Sequence, residues 1–200
     1  MGSQLILNNH IANDEWQLIE PPKAQEEVKK QAGKVVIFKI TGEASLNQDQ
    51  IEKTTFPKSG KIILPIQVLL HHQKALMDRI AKKEIGIWIE THEEINSFID
   101  NIDDINKFSL ISVNVRKFAD GRIFSIGNML RMKYKFKNEL RAIGDVLRDQ
   151  LFFLKRSGFN SFLIRKDRDA NDAILGLTDF STPYQGAVDQ QKPAWKIIKR

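Results

Sequence analysis

Leu110-Ile111-Ser112-Val113-Asn114-Val115 is a six-residue run rich in apolar and β-branched residues. It is followed by the polar stretch Arg116 to Gly121 and then by Phe124 to Phe136 with helical periodicity. A strand, a short loop and a helix read from those periods make half of a βαβ unit. The same rhythm extends in both directions. On the N-terminal side, Ile62-Ile63-Leu64 is a short strand closed by Pro65, and Ile66 to Ala81 is a helix. Ile85-Gly86-Ile87-Trp88-Ile89 is the next strand, and Thr91 caps a helix from His92 to about Asn101 with Glu93 and Glu94 in its first turn. On the C-terminal side come a strand from Leu140 to Ile143, a helix from Val146 to Ser157, a strand from Ser161 to Ile164 and a last helix from Ala170 to Leu177. Five βα units joined by short loops predict an α/β fold with a parallel sheet and right-handed crossovers, either open and doubly wound or a partial βα barrel.

Residues 1–60 read as an irregular N-terminal arm: Pro21-Pro22 breaks the segment, Lys34 to Ile40 reads as a strand, and Thr41 to Gly60 is polar. The α/β domain then spans 61–185, and 186–200 is a basic C-terminal tail with Trp195 as an aromatic anchor. The opening Met1 to Leu7 lacks the charged and apolar regions of a secretory leader, and no run reaches the length of a membrane span, so a cytoplasmic protein without membrane attachment is expected. The chain has no cysteine, which excludes disulfide staples, thiol redox chemistry and thiolate-held iron–sulfur clusters.

The net charge of +6 is unevenly placed. Between Leu110 and Arg168 there are 14 Lys and Arg against 5 Asp and Glu, whereas 60–109 hold 6 basic and 8 acidic residues. A field of this sign favours small anions or an acidic protein partner. The aromatics are not interleaved with the basic residues as stacking platforms, which argues against nucleic acid.

In a parallel α/β fold the strand C-termini share one edge, where ligands bind. That edge would present Glu90, then Lys117 with Asp120 and Arg122, then Gly144 with Asp145, then Arg165 with Arg168. Gly121 and Arg122 precede a helix N-terminus suited to a sulfite, phosphate or carboxylate group, with Ser125 close by and Asp120 orienting Arg122 or capping the helix. Asp145 follows Gly144 as a helix N-cap. Asp149 lies four residues on, a spacing that suits acid–base work or a divalent cation, although Arg141 and Arg148 make an ion-pair network the better reading and no metal site is expected. Gln150 belongs to the same polar face. Asp120, Asp145 and Asp149 are thus the candidate catalytic groups, and Gly121, Arg122, Ser125, Arg131, Arg141, Gly144 and Arg148 the candidate anion-binding set. His10, His71, His72 and His92 have no metal-ligand spacing. Dinucleotide, P-loop and nucleophile-elbow signatures are absent.

Several of these residues also carry a resemblance. Asp120-Gly121-Arg122 with Phe124-Ser125, Leu130-Arg131, Glu139-Leu140-Arg141 with Gly144-Asp145-Val146, Asp149-Gln150-Leu151 and Gly158-Phe159 are similar, in order and spacing, to a bacterial family of unknown function usually described as an oxidoreductase involved in sulfite reduction. The likeness is strongest from Ile85 to Gln185, and Asp14-Glu15-Trp16 resembles the family's opening strand region. It implies a role beside assimilatory sulfite reductase and no established catalytic residues. The expectation is an accessory protein of sulfur assimilation that binds sulfite reductase or its electron supply through a basic face around Arg122, Arg131, Arg141 and Arg148. The alternative is an enzyme acting on a small anionic substrate, with a nucleotide or flavin held by the strand-exit loops.

Overall fold

The structure, a computed structural model, describes residues 4–22, 30–31, 34–35 and 45–197. Eight strands form one sheet: β1 (Leu5–Leu7), β2 (His10–Ala12), β3 (Trp16–Leu18), β4 (Lys61–Pro65), β5 (Ile85–Glu90), β6 (Leu110–Val115), β7 (Glu139–Gly144) and β8 (Ser161–Leu163). Their spatial order is β2-β1-β8-β7-β6-β5-β4-β3. From β3 to β8 every pairing is parallel; β1 pairs antiparallel with β8, and β2 with β1. A separate two-residue pairing joins Lys30–Gln31 to Lys34–Val35, so the rest of the strand predicted over Lys34 to Ile40 lies outside the described residues.

The strand order decides between the two expected architectures. A doubly wound sheet reverses direction at a switch point and sends its crossovers to both faces. Here β4 to β8 follow one another in space as in sequence, so right-handed crossovers place the helices on one side. The core shows this. Ile62, Leu64, Ile87, Val113, Leu140 and Phe162 pack with residues of α2 (Ile66–Ala81), α4 (Arg122–Met132) and α5 (Arg148–Arg156), whereas the alternate positions Ile63, Trp88, Leu110 and Ile143 form a second cluster with Trp16 and Leu163. The sheet therefore has a helix-covered outer face and an inner face of its own.

The inner face is concave. Ala12 ends one edge strand and Trp16 begins the other, and four peptide steps reach at most about 15 Å. Eight flat strands would hold those edges about 34 Å apart. The sheet must curl, and the result is a half-barrel with Asn13 to Glu15 as a strap between its edges. Asp14 on this strap reaches Arg141 in the middle of β7.

Several local expectations change. Where it is described, the N-terminal region is more regular than expected: it supplies β1, β2 and β3, and Ile6, Ile19 and Ile51 enter the core, the last from α1 (Gln48–Lys53). α3 covers only Ile95–Ile99, because Thr91 and Glu93 turn to other partners instead of capping it. α4 begins at Arg122 and stops at Met132, and α5 begins at Arg148. The last predicted helix divides into one α-helical turn, α6 (Ala170–Ala173), and a 3₁₀ segment, Ile174–Thr178. No helix among the described residues is long and apolar enough to cross a membrane.

Candidate functional site

The pairings Glu90↔Asn114, Asn114↔Ile143 and Val115↔Gly144 bring the carboxyl ends of β5, β6 and β7 to one level. The loops leaving this rim hold one another. Glu90 is 6% exposed. Its carboxylate accepts from Asn114 Nδ2 at 3.0 Å and from Arg116 Nε and Nη2 at 2.9 and 2.8 Å, a bidentate pair that anchors the start of the β6 exit loop to β5. The neighbouring Glu93 carboxyl accepts from the Glu90 backbone N–H at 2.9 Å and from Gln67 Nε2, and burial pushes it above the ordinary carboxylate range. A cavity of about 20 Å³, large enough for a single water, lies between these groups and Trp88.

The same loop is held at its far end. Thr91 Oγ1 donates to Asp120 Oδ2, and Asp120 also accepts from Arg122 Nε at 2.8 Å, Nη2 at 2.7 Å and the backbone N–H at 3.1 Å. The Arg122 guanidinium holds the Asp120 carboxyl well below the usual carboxylate range, with the Thr91 bond adding to the effect. A group depressed in this way stabilises the fold at any pH above its unfolded pKa. That contribution fades only as pH falls from about 4 through the lower folded value. The stability difference between wild type and Asp120→Asn should therefore stay constant from neutral pH down to about pH 5 and shrink below about pH 4, as read by urea unfolding across a pH series.

The third clamp comes from β7. Asp145 Oδ2 accepts from the Phe118 N–H at 2.9 Å, and its Oδ1 accepts from Arg165 Nη1 at 2.7 Å. Arg165 also grips Asp167 at 2.6 and 2.9 Å, and these two carboxylates raise its already high pKa further. Gln150 Nε2 donates to the Phe118 carbonyl at 3.0 Å, while its Oε1 accepts the Leu147 N–H at 3.2 Å. Residues 116–121 are thus fastened at Arg116, Phe118 and Asp120, with Lys117 and the Phe118 ring, 42% exposed, facing outward. Gly144, at φ +93°, lets Asp145 turn back so that its N–H meets the Val115 carbonyl at 2.7 Å.

The structure gathers some of the expected site residues and disperses others. Glu90, Lys117, Asp120, Gly121, Arg122, Gly144, Asp145 and Arg165 lie on this rim. The four arginines of the expected basic face do not share one surface. Arg131 lies nine residues along α4 from Arg122, about 13 Å along its axis, and donates to the carbonyls of Gly158, Phe136 and Asn138 and to Asn160 Oδ1 at the opposite end of the sheet. Arg141 is 1% exposed on the inner face, paired with Asp14 and Glu139. Arg148 and Asp149 line a cavity of about 570 Å³ beside α5 together with Arg168, Asp167, Asp169, Asp172 and Asp179. Ser125 is exposed on the outer face of α4. Asp149 is not brought to Asp145, whose oxygens face Phe118 and Arg165. No cluster of three metal-ligating side chains occurs among the described residues. Sequence reading did not place Thr91, Glu93 or Arg116 on the rim, and it noted Asp14 only through the resemblance of Asp14-Glu15-Trp16, without a role; Arg116, directly after a strand, carried a local signal.

A family model described as a bacterial protein of unknown function (DUF934) matches residues 86–195, more than half of the chain. The chain belongs to this family. The matched region opens in β5 and takes in the whole β6 exit loop, α4, α5 and the segment up to Trp195, while the strap bearing Asp14 lies before it. No curated protein matches the chain.

Proposed function

We propose that this protein is a cytoplasmic accessory module of assimilatory sulfur metabolism that docks sulfite reductase, or the acidic redox protein supplying its electrons, through the rim loop 116–121. The sulfur assignment is supported by the motif resemblance. The docking mode is supported above all by one observation: the loop is bonded to both neighbouring strand exits yet turns Lys117 and Phe118 to solvent. A rigid loop loses little entropy on binding, and a held aromatic beside cations is a typical interface anchor. Lys117 and Lys166 are exposed on this rim, while Arg116, Arg165 and Arg168 lie against the carboxylates of Glu90, Asp145 and Asp167. Asp120 and Asp145 serve as ion-paired clamps, which favours docking over acid–base catalysis.

The 570 Å³ cavity has the volume of a small-ligand site and would serve the enzymatic alternative. Its lining sets five aspartates against Arg148 and Arg168, a balance that opposes an anionic substrate.

Calorimetric titration of sulfite reductase with the full chain tests the reading. Binding should weaken by about tenfold or more in Phe118→Ala and in Lys117→Glu, and should fall with added salt. A wild-type protein that shows no binding to either redox partner, or a pair of variants that bind as wild type, would refute it. A deletion strain should fail on sulfate and sulfite and grow on sulfide or cysteine; growth on all four would remove the sulfur assignment.

A further inference from the structure

A second surface lies on the helix-covered face. Ser125, Asn128 and Met132 fall on one stripe of α4 at i, i+3 and i+7, and Phe153 and Arg156 on one stripe of α5. The segment from Tyr184 to Trp195 runs beside them. Two hollows of about 670 and 400 Å³ lie between these elements and share Asn128, Gly186 and Ala187, so they form one continuous groove.

The groove is firmly built. Val188 N–H donates to the Arg156 carbonyl at 3.0 Å, Ala194 N–H to the Tyr184 carbonyl at 3.0 Å, and Arg156 Nη2 to the Gln185 carbonyl. Its floor is small: Ser125, Ser157, Gly186 and Ala187. Its walls are apolar and open, with Phe153 52% and Trp195 57% exposed, Met132 exposed as well, and the Trp195 ring 4.9 Å from that of Tyr184. The charges are one-sided. Asp189 is the single acid from 180 to 197, and Arg156 lies 3.5 Å from it, while Lys192 and Lys196 are exposed beside the groove. Lys199 and Arg200 follow in the sequence.

We infer that this groove is a docking site for an acidic amphipathic helix of a partner protein. The apolar walls receive the partner's i, i+3, i+4 and i+7 side chains, and Lys192 and Lys196 face its carboxylates. Charge complementarity selects this occupant: a basic or neutral helix satisfies the walls and leaves the cations unanswered. The inference is independent of the rim and of any sulfur role.

The test uses the full chain and a fluorescein-labelled peptide of about 18 residues, with leucines on one helical stripe and glutamates on the other, read by anisotropy. The expected result is saturable binding that weakens about tenfold in Phe153→Ala and in Trp195→Ala, and by a similar factor when lysines replace the peptide's glutamates. Asn128→Glu, at an exposed position that lines both hollows, should weaken binding too, and circular dichroism checks that each variant is folded. Equal affinity for the acidic and basic peptides, or binding untouched by Phe153→Ala and Asn128→Glu, would overturn the inference. A dimer in sedimentation that Phe153→Ala dissociates would also overturn it, by showing that a second copy covers the groove.

Discussion

Arg141→Ala is expected to lose about 3–5 kcal/mol of folding stability, most of the margin of an ordinary domain. Its guanidinium is 1% exposed on the inner face of the half-barrel. Nη1 donates to both Asp14 oxygens at 2.9 and 3.0 Å, Nη2 lies 2.8 Å from Glu139 Oε1, and Nε reaches Glu139 at 2.9 Å and Ser161 Oγ at 3.1 Å. Removing the cation leaves two carboxylates facing one cavity without a counter-charge. It also releases the strap that holds the two sheet edges together, so the curl itself loosens. The loss belongs to stranded charge more than to any net benefit of the buried ions. Combining Arg141→Met with Asp14→Asn and Glu139→Gln should therefore recover most of it. Urea unfolding followed by tryptophan fluorescence reads both effects, since Trp16 and Trp88 line the same face. An Arg141→Ala protein within about 1 kcal/mol of wild type would show that the triad does not hold the barrel.

Gly144→Ala is expected to cost about 2–5 kcal/mol, adding backbone strain to a clash. At φ +93° an L side chain is strained, and its Cβ would lie 2.3 Å from the Val115 carbonyl oxygen and 2.6 Å from Asn114 Oδ1. Neither neighbour can retreat cheaply. Val115 accepts the Asp145 N–H, and Asn114 donates to Glu90. Relief of the clash must therefore move Asp145 and with it the Phe118 clamp, so partner binding at the rim should fall along with thermal stability. Gly121→Ala is the matched control. Gly121 has φ −70° and nothing within 4 Å of an added Cβ, so alanine there should change stability by less than about 1 kcal/mol and leave binding intact. If the two substitutions behaved alike, Gly144 would not be the residue that sets the rim.

Both residues were visible in the sequence as candidate anion ligands, and both have structural work that a ligand site would disturb. Gly144 was named for its place at a strand exit, and the exit is real. What the local sequence lacks is the distance to Val115, which depends on the parallel register of β6 and β7. Arg141 is a sharper case. The alternation of Leu140, Arg141 and Ala142 in β7 sends its side chain away from the helices, but whether that direction meets solvent or a closed interior depends on Asp14, 127 residues away in the chain. Arg131 belongs to α4 as expected, yet the length of the helix carries it to the far end of the sheet.

By itself the sequence determined the repeating elements from Ile62 to Ile164, their parallel pairing, and the gathering of Glu90, Asp120, Arg122, Asp145 and Arg165 at one edge. These follow from short-range periodicity and from the handedness of crossovers. The tertiary structure alone decided that the sheet curls instead of winding doubly, that three-residue strands near the N-terminus complete both of its edges, and that the arginines scatter over an interior, a rim and a far end. Strands so short carry no readable period, and a curl is a property of the whole sheet, set when residues distant in sequence, Asp14 and Arg141 first among them, find each other across its inner face.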